Sequence, residues 1–313
     1  MEQKRKVILD CDPGHDDAIS IILGASKVSN LDIVGITTVA GNVEVEKNTL
    51  NALKVCDMIG LHDVPVAQGA TKPLLKTREI AGEIHGETGL DGPELPEPSR
   101  AAIDQHGVDF MIEKLLHTKE KITLVPTGPL TNIAMAMIRE PGIMANIEEI
   151  VLMGGGTFGN WTPAAEFNIW VDAEAAKVVF ESGVPVTMFG LDVTHKALAT
   201  KEVVERFSAI GNPVSNFVVE LLDFFSKTYK DVFGFEAGPI HDACTTAYLI
   251  DPDIFDFKQV HVDIETKGEY TYGTTCVDLL GVTRKEPNVK FASELDQDKL
   301  WLLFDRALKS YSE

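Results

Sequence analysis

Short apolar runs alternate with amphipathic stretches along the chain. Val7-Ile8-Leu9 reads as a strand, and the helical pattern Ala18-Ile19-Ser20-Ile21-Ile22-Leu23 follows across a Pro13-Gly14 turn. Residues 32–39 alternate and are rich in β-branched side chains, which predicts a second strand. Ala40-Gly41-Asn42 then turns the chain into an amphipathic helix over 44–59. A short strand is predicted at 64–67, a helix near 108–117 and a strand at 121–125 that ends on Pro126-Thr127-Gly128. The next helix runs to 139, where Pro141-Gly142 stops it. A buried strand at 150–153 opens into a loop over 154–168, followed by a helix near 173–181 and a strand at 186–189. Beyond it the chain reads as mainly helical over 200–229. An aromatic, Gly-containing loop at 231–239 follows, then a helix beginning at Asp242. Late strands at 259–266 and 270–277, read as antiparallel, and a last helix over 297–311 complete the pattern.

Recurrent strand–loop–helix units predict an α/β fold. The expectation is one doubly wound, largely parallel sheet flanked by helices, with late antiparallel additions. No repeat, low-complexity tract or linker interrupts it, so residues 1–313 are read as a single domain. One segment stands apart. Residues 69–100 are rich in Gly and Pro with little periodicity, and a loop of that length inside a compact domain is usually functional or mobile.

Composition narrows the possible partners. With 28 Lys and Arg against 48 Asp and Glu, the formal charge is −20. Nucleic acid and anionic membrane both demand positive surface, so neither is expected as a partner. Cys11, Cys56, Cys244 and Cys276 form no C-x-x-C pair, and reduced thiols are expected. Cys11 and Cys244 read as small buried hydrophobes. Lys4-Arg5-Lys6 resembles a charged leader start, but only three apolar residues follow before Asp10. No stretch approaches the ~20 apolar residues of a membrane span, and a soluble, cytoplasmic protein is expected.

The chemistry concentrates in Asp10-Cys11-Asp12-Pro13-Gly14-His15-Asp16-Asp17. In open α/β sheets, ligands bind at the carboxyl ends of the strands, where this stretch falls. Four carboxylates so close would repel and raise one another's pKa, and no Lys or Arg lies among them. A divalent cation would neutralise them, and an all-oxygen ligand set points to Ca²⁺ or Mg²⁺ rather than Zn²⁺. Acidic residues at a helix start also cap the dipole, worth a few tenths to ~1 kcal/mol each. That would suffice for Asp16 and Asp17. It does not account for Asp10 and Asp12, which alternate along a strand end. The spacing is not that of an EF-hand, since Gly falls fifth from Asp10 and the twelfth residue is Ile21. Nor is there a G-x-G-x-x-G dinucleotide fingerprint.

The D-x-D-P-G-x-D-D stretch after the first strand resembles the opening motif of the inosine-uridine preferring nucleoside hydrolases. Gly41-Asn42, His85-Gly86-Glu87, Leu124-Val125-Pro126-Thr127-Gly128, Met153-Gly154-Gly155-Gly156, Glu166-Phe167-Asn168-Ile169 and His241-Asp242 agree, in the same order. The similarity runs from about residue 6 to the C-terminus. It implies hydrolysis of the N-glycosidic bond of ribonucleosides such as uridine, cytidine or inosine, giving ribose and free base.

It further implies a Ca²⁺ ion held by Asp12, Asp17, Asp242 and the backbone carbonyl of Thr127, with Asp10 supporting the ligands. Asp12 would be the general base on an ion-activated water. Asp16, Asn42, Asn160, Glu166 and Asn168 would bind sugar hydroxyls, which both donate and accept. Phe167 places a ring beside those polar groups. His85 and Tyr229 are candidates for the base. Asn42 taken alone would pass for a turn residue. His241 is adjacent to Asp242, so the two side chains diverge and no His–Asp relay is expected. His241 would instead protonate the leaving base. Members of such a family assemble as homotetramers or homodimers, and an oligomer is expected on that ground alone.

Two other classes share parts of the pattern. Phosphatases of the haloacid dehalogenase type also carry D-x-D after the first strand, with the first Asp as nucleophile. The Pro13-Gly14 turn and the lack of a clear downstream Lys motif count against that reading. A silent Ca²⁺-dependent nucleoside-binding protein would not need both Asp12 and His241.

Overall fold

A computed structural model describes residues 4–312. Ten strands are described: β1 (Arg5–Cys11), β2 (Leu31–Thr38), β3 (Val66–Gln68), β4 (Ile122–Pro126), β5 (Ile147–Met153), β6 (Val186–Phe189), β7 (Phe255–Val260), β8 (Val262–Ile264), β9 (Thr275–Val277) and β10 (Val289–Leu295). Eight form one sheet in the order β3-β2-β1-β4-β5-β6-β10-β7. All neighbours in it are parallel except β10 and β7. β8 and β9 form a separate antiparallel pair. The predicted doubly wound sheet with late antiparallel additions is therefore what the chain adopts.

The apolar runs sit where parallel strands must. β4 and β6 are buried along their whole length, as expected when helices cover both faces. The period of two in β1 divides the core. Val7 and Leu9 pack on one face with the helices His15–Ala25 and Pro213–Phe233, while Ile8 packs on the other with the helices Gly107–His117 and Thr131–Arg139.

The order of the strands fixes where a ligand can sit. From β1 the chain winds outward through β2 and β3, then returns to lay β4 on the other side of β1. Winding reverses between β1 and β4, and the crevice beyond their carboxyl ends is the switch point. Asp10 pairs in register with Thr37 on one side and Pro126 on the other, so the 10–17 stretch and Thr127 leave the sheet side by side.

Several boundaries differ from the sequence reading. The helix Pro213–Phe233 runs past Tyr229 through residues expected in a loop. Asn212 and Pro213 start it, and Gly234 stops it in the left-handed conformation with φ 73°. Gly234 donates to the Lys230 carbonyl, and Gly238 donates to Ser226 Oγ and accepts from the Ala199 amide, which leaves 235–237 between the two anchors. Strand β10 was not anticipated. Its Lys290, Ser293 and Glu294 dilute the apolar signal, and it is a strand because it pairs with β6 and β7. The predicted 259–266 strand is split at His261 between β7 and β8. The 69–100 segment contains one helical turn, Gly82–His85, and otherwise no helix or strand. Among the described residues no helix is long and apolar enough to cross a membrane. All four cysteines are free, with Cys11 and Cys244 buried.

Candidate active site

One strand end and two helix starts carry the acidic residues into the crevice: Asp10 lies in β1, Asp16 and Asp17 in the first turn of the helix His15–Ala25, and Asp242 at the N-cap of the helix Ala243–Ile250. Asp10, the last-but-one residue of β1, is fully buried and accepts from Thr37 Oγ1 at 2.6 Å and Asn132 Nδ2 at 2.8 Å. Its Oδ2 has no partner, and burial pushes its pKa up to about 6. It does not reach the cavity above it. Asp12 follows in the turn. Its Oδ2 accepts from the Asn42 amide at 2.7 Å, while Oδ1 is buried without a partner. A Cβ on Gly41 or Gly128 would overlap this carboxylate, so the two glycines are what let both loops close on it.

Asp17 is gripped more fully. Oδ1 accepts from Thr127 Oγ1 at 2.7 Å, and Oδ2 from the Gly14 amide at 3.0 Å. Asp16, Asp17 and Asp242 bring carboxylate oxygens within 4.8 Å of one another, all buried. Asp12 is outside that tightest group, whereas Asp16, read as a sugar binder, is inside it. Burial raises all four pKa values, and repulsion from neighbouring carboxylates adds to it for Asp12, Asp16 and Asp242, with Asp16 lifted to about 7. No Lys or Arg lines the cavity of about 270 Å³ above them. Converging buried oxygens, an orphaned Asp12 Oδ1 and the absence of a protein cation together fit a hard divalent ion. The Thr127 carbonyl accepts from Asn168 Nδ2 at 2.8 Å, which leaves a second lone pair.

The amides are committed in ways that define what they can offer. Asn168 Nδ2 donates to the carbonyls of Thr127 and Met153, so the amide orientation follows from two acceptors and Oδ1 is the free group. Asn160 is the reverse case. Its Oδ1 accepts from the Phe167 amide, which leaves Nδ2. Asn42 spends its backbone and side-chain donors on Asp12 and Asp17. Glu166 caps the helix Phe167–Val171 and accepts from the amides of Gly155, Asn168 and Ile169. Burial still lifts its pKa to about 7. All four residues line the cavity, with Phe167 beside them.

Two histidine assemblies form the opposite wall. His15 Nε2 lies 2.8 Å from the Asp91 carbonyl, which can only accept, so Nε2 carries the proton and Nδ1 is bare. His85 Nδ1 stands 3.2 Å from that bare nitrogen and accepts from the His15 amide at 3.4 Å. A neutral His85 that accepts at Nδ1 carries its proton on Nε2. A Cβ on Gly14 would overlap the His85 ring. In the second assembly His241 lies between Tyr229 Oη, 2.7 Å from Nε2, and Thr194 Oγ1, 2.8 Å from Nδ1. Burial, then the neighbouring His195 and His85, hold its pKa well below the ordinary value. Tyr229 is buried and packs edge-on to Phe225.

Sequence reasoning missed Thr37 and Asn132, which hold Asp10, as well as Thr194, His15 and Asp91. Only His15, inside the acidic stretch, carried a signal that could have found it. The others come from distant elements with no local pattern.

Carboxylates converging at a doubly wound switch point, with amides beside them and a Tyr–His pair opposite, suit a hydrolase that grips a polyhydroxylated sugar. The chain belongs to the inosine-uridine preferring nucleoside hydrolase family, whose model matches residues 7–302. The pyrimidine-specific ribonucleoside hydrolase RihA of Shewanella woodyi is 49% identical over 310 residues, 98% of this chain and 99% of its own. RihA of Escherichia coli O81 (strain ED1a) is 49% identical over 309 residues, again 98% and 99%. A purine-preferring ribonucleoside hydrolase from Gardnerella vaginalis superposes with a TM-score of 0.91 at 32% identity, covering 98% of this chain and 99% of that one. The protein is thus a nucleoside hydrolase. The family match over residues 7–302 sets the phosphatase reading aside.

Proposed function

We propose that this single-domain protein hydrolyses the N-glycosidic bond of ribonucleosides, pyrimidine ribosides such as uridine and cytidine first, in a Ca²⁺-dependent reaction. The observation that carries the ion is the buried Asp16–Asp17–Asp242 convergence beside the orphaned Asp12 Oδ1. The pyrimidine preference rests on the specificity printed for the two RihA relatives. Asp12, Asp17, Asp242 and the Thr127 carbonyl would hold the ion. When bound, Ca²⁺ supplies positive charge that acidifies water and draws the sugar hydroxyls.

The residues of the chain do the rest. Asp12 takes the proton of the attacking water as general base. Asn168 Oδ1 accepts from a ribose hydroxyl, Asn160 Nδ2 donates to one, and Glu166, Asp16 and Asn42 complete the grip. The vicinal hydroxyls are held so that the anomeric carbon meets the water, and a ring with oxocarbenium character is favoured. Phe167 and Tyr229 pack near the base, and His85 offers it or the sugar an Nε2–H donor. His241, coupled to Tyr229 Oη, protonates the departing base. The ring is neutral at rest, so the proton the pair gives is replaced from solvent, and the proton Asp12 takes from the attacking water returns to solvent, which closes the balance. Asp10 holds the β1 end rigid through Thr37 and Asn132.

A cytoplasmic homotetramer or homodimer completes the reading. Tyr270, Leu280 and Val282 are 81%, 88% and 76% exposed, apolar surface that a second copy would cover. The deciding experiment is a nucleoside panel assayed for released ribose, with and without a chelator. Ribose release from uridine that stops on chelation and returns with Ca²⁺ is expected; chelator-resistant release would remove the ion from the mechanism.

A further inference from the structure

A second chamber adjoins the cavity above the carboxylates. It measures about 450 Å³ and is walled by Phe158, Trp161, Tyr229, Phe233 and Phe235, with His195 among them. Tyr229, Phe233, Trp161 and Asn160 line both spaces, so the two share a wall. None of the steps proposed above uses the second one.

Its chemistry is specific. His195 follows the one-turn helix Leu191–Thr194 at the carboxyl end of β6, on the same side of the sheet as the acidic stretch. The ring stands edge-on to Phe235 with centroids 5.0 Å apart, 5.5 Å from Phe158 and 5.4 Å from His241. Its Nε2 is buried and has no hydrogen-bond partner. A buried imidazole nitrogen left unpaired is destabilising unless a ligand supplies the partner. The wall opposite is braced for the purpose. Thr157 donates to Asp192 through both its amide, at 2.8 Å, and its hydroxyl, at 2.6 Å, tying the 157–165 loop to the helix that carries His195. At the mouth, Phe158 and Trp161 are 41% and 37% exposed, aromatic surface of the kind that marks a binding site.

Flat aromatic walls with one unpaired hydrogen-bonding atom suit a planar heterocycle with a polar edge. We propose that the chamber receives the polar edge of the nucleobase and that His195 Nε2 hydrogen-bonds to it, making His195 a specificity-determining residue. This deepens the nucleoside hydrolase reading and rests on it. A neutral imidazole can present Nε2 either protonated or bare, so one side chain can match the carbonyl at C4 of uracil or the amine at C4 of cytosine. With their ring centroids 5.4 Å apart, His241 and His195 would then meet neighbouring polar atoms of the base.

The test compares wild type with His195→Phe, which keeps the aromatic ring and removes the nitrogen, and with His195→Gln, which keeps a polar group. Binding of 5-fluorouracil is followed by ¹⁹F NMR, with Ca²⁺ present, and ribose inhibition is measured alongside. His195→Phe is expected to weaken 5-fluorouracil about tenfold and to raise KM for uridine by a similar factor, with ribose unaffected and His195→Gln near wild type. Unchanged 5-fluorouracil binding in His195→Phe overturns the proposal, as does an equal loss of ribose affinity. A wild-type crystal soaked in uracil gives a readout free of mutation. Density for the base with its edge at Nε2 supports the assignment, and a base seated elsewhere, or absent at saturating concentration, overturns it. Should the wild type release no ribose from any nucleoside, the hydrolase mechanism fails, while base binding still decides the role of His195.

Discussion

Tyr229 Oη lies 2.7 Å from His241 Nε2, inside the cavity. The proposed role keeps this pair out of the ion site, because a hard cation prefers oxygen to imidazole and Asp242 already turns toward Asp16 and Asp17. His241→Ala should therefore lower kcat on uridine and inosine by ~10²–10⁴-fold, the usual worth of general-acid help. A riboside with an activated phenolate leaving group, which departs unprotonated, should keep far more of its rate. Equal losses on both kinds of substrate would give His241 a different task.

Ion binding has a readout apart from turnover. A ligand present at 100 times its Kd stabilises the folded state by about 2.7 kcal/mol. Ca²⁺ should accordingly raise the unfolding temperature of the wild type. Asp17→Asn should shrink that shift while the fold, judged by circular dichroism, persists. Global unfolding of this variant would point to a structural role for Asp17 instead.

Ribose recognition predicts poor turnover of deoxynucleosides. Asn168 Oδ1 and Asn160 Nδ2 are left over by their protein partners, and each polar group buried unpaired costs ~1–3 kcal/mol. At about 1.4 kcal/mol per tenfold, kcat/KM for deoxyuridine should fall at least about tenfold below that for uridine. Equal values for the two substrates would rule out the hydroxyl grip.

Stability should depend on pH in a way the ion abolishes. Asp10, Asp16 and Glu166 have folded pKa values of about 6, 7 and 7, above their ordinary 3.8, 3.8 and 4.5. Between those limits the folded state binds more protons than the unfolded chain. The contribution is thus fully present at low pH and lost as pH rises through 6 to 7. His15, lowered to about 4, acts in the opposite sense below 6.5. More carboxylates than histidines are displaced around the site, so the chelated protein should become less stable from pH 4.5 to 7.5 in denaturant titrations, by roughly a few kcal/mol. With saturating Ca²⁺ the slope should flatten, and binding at pH 6 should release protons detectable by calorimetry in two buffers.

The sequence by itself determined the periods, and the periods determined the sheet. Val7-Ile8-Leu9, 121–125, 150–153 and 186–189 are short apolar runs between helical patterns, and parallel strands covered on both faces are the structure that buries them. It also placed Asp10, Asp12, Asp16 and Asp17 at a strand end, because the Pro13-Gly14 turn is local. Non-local pairing decided the rest. Lys290 and Glu294 sit in a strand only because β6 and β7 supply its hydrogen bonds. Tyr229 and Phe233 share one helix because Gly234, not the loop-like composition before it, sets the end. Above all, tertiary structure chose which acids meet. Asp242 is 225 residues from Asp17, yet their oxygens converge with those of Asp16, and Thr127 arrives from β4 to bind Asp17. Charge repulsion of that size is visible in a sequence only where the residues are neighbours; across the chain it depends on the winding reversal between β1 and β4, which no local pattern encodes.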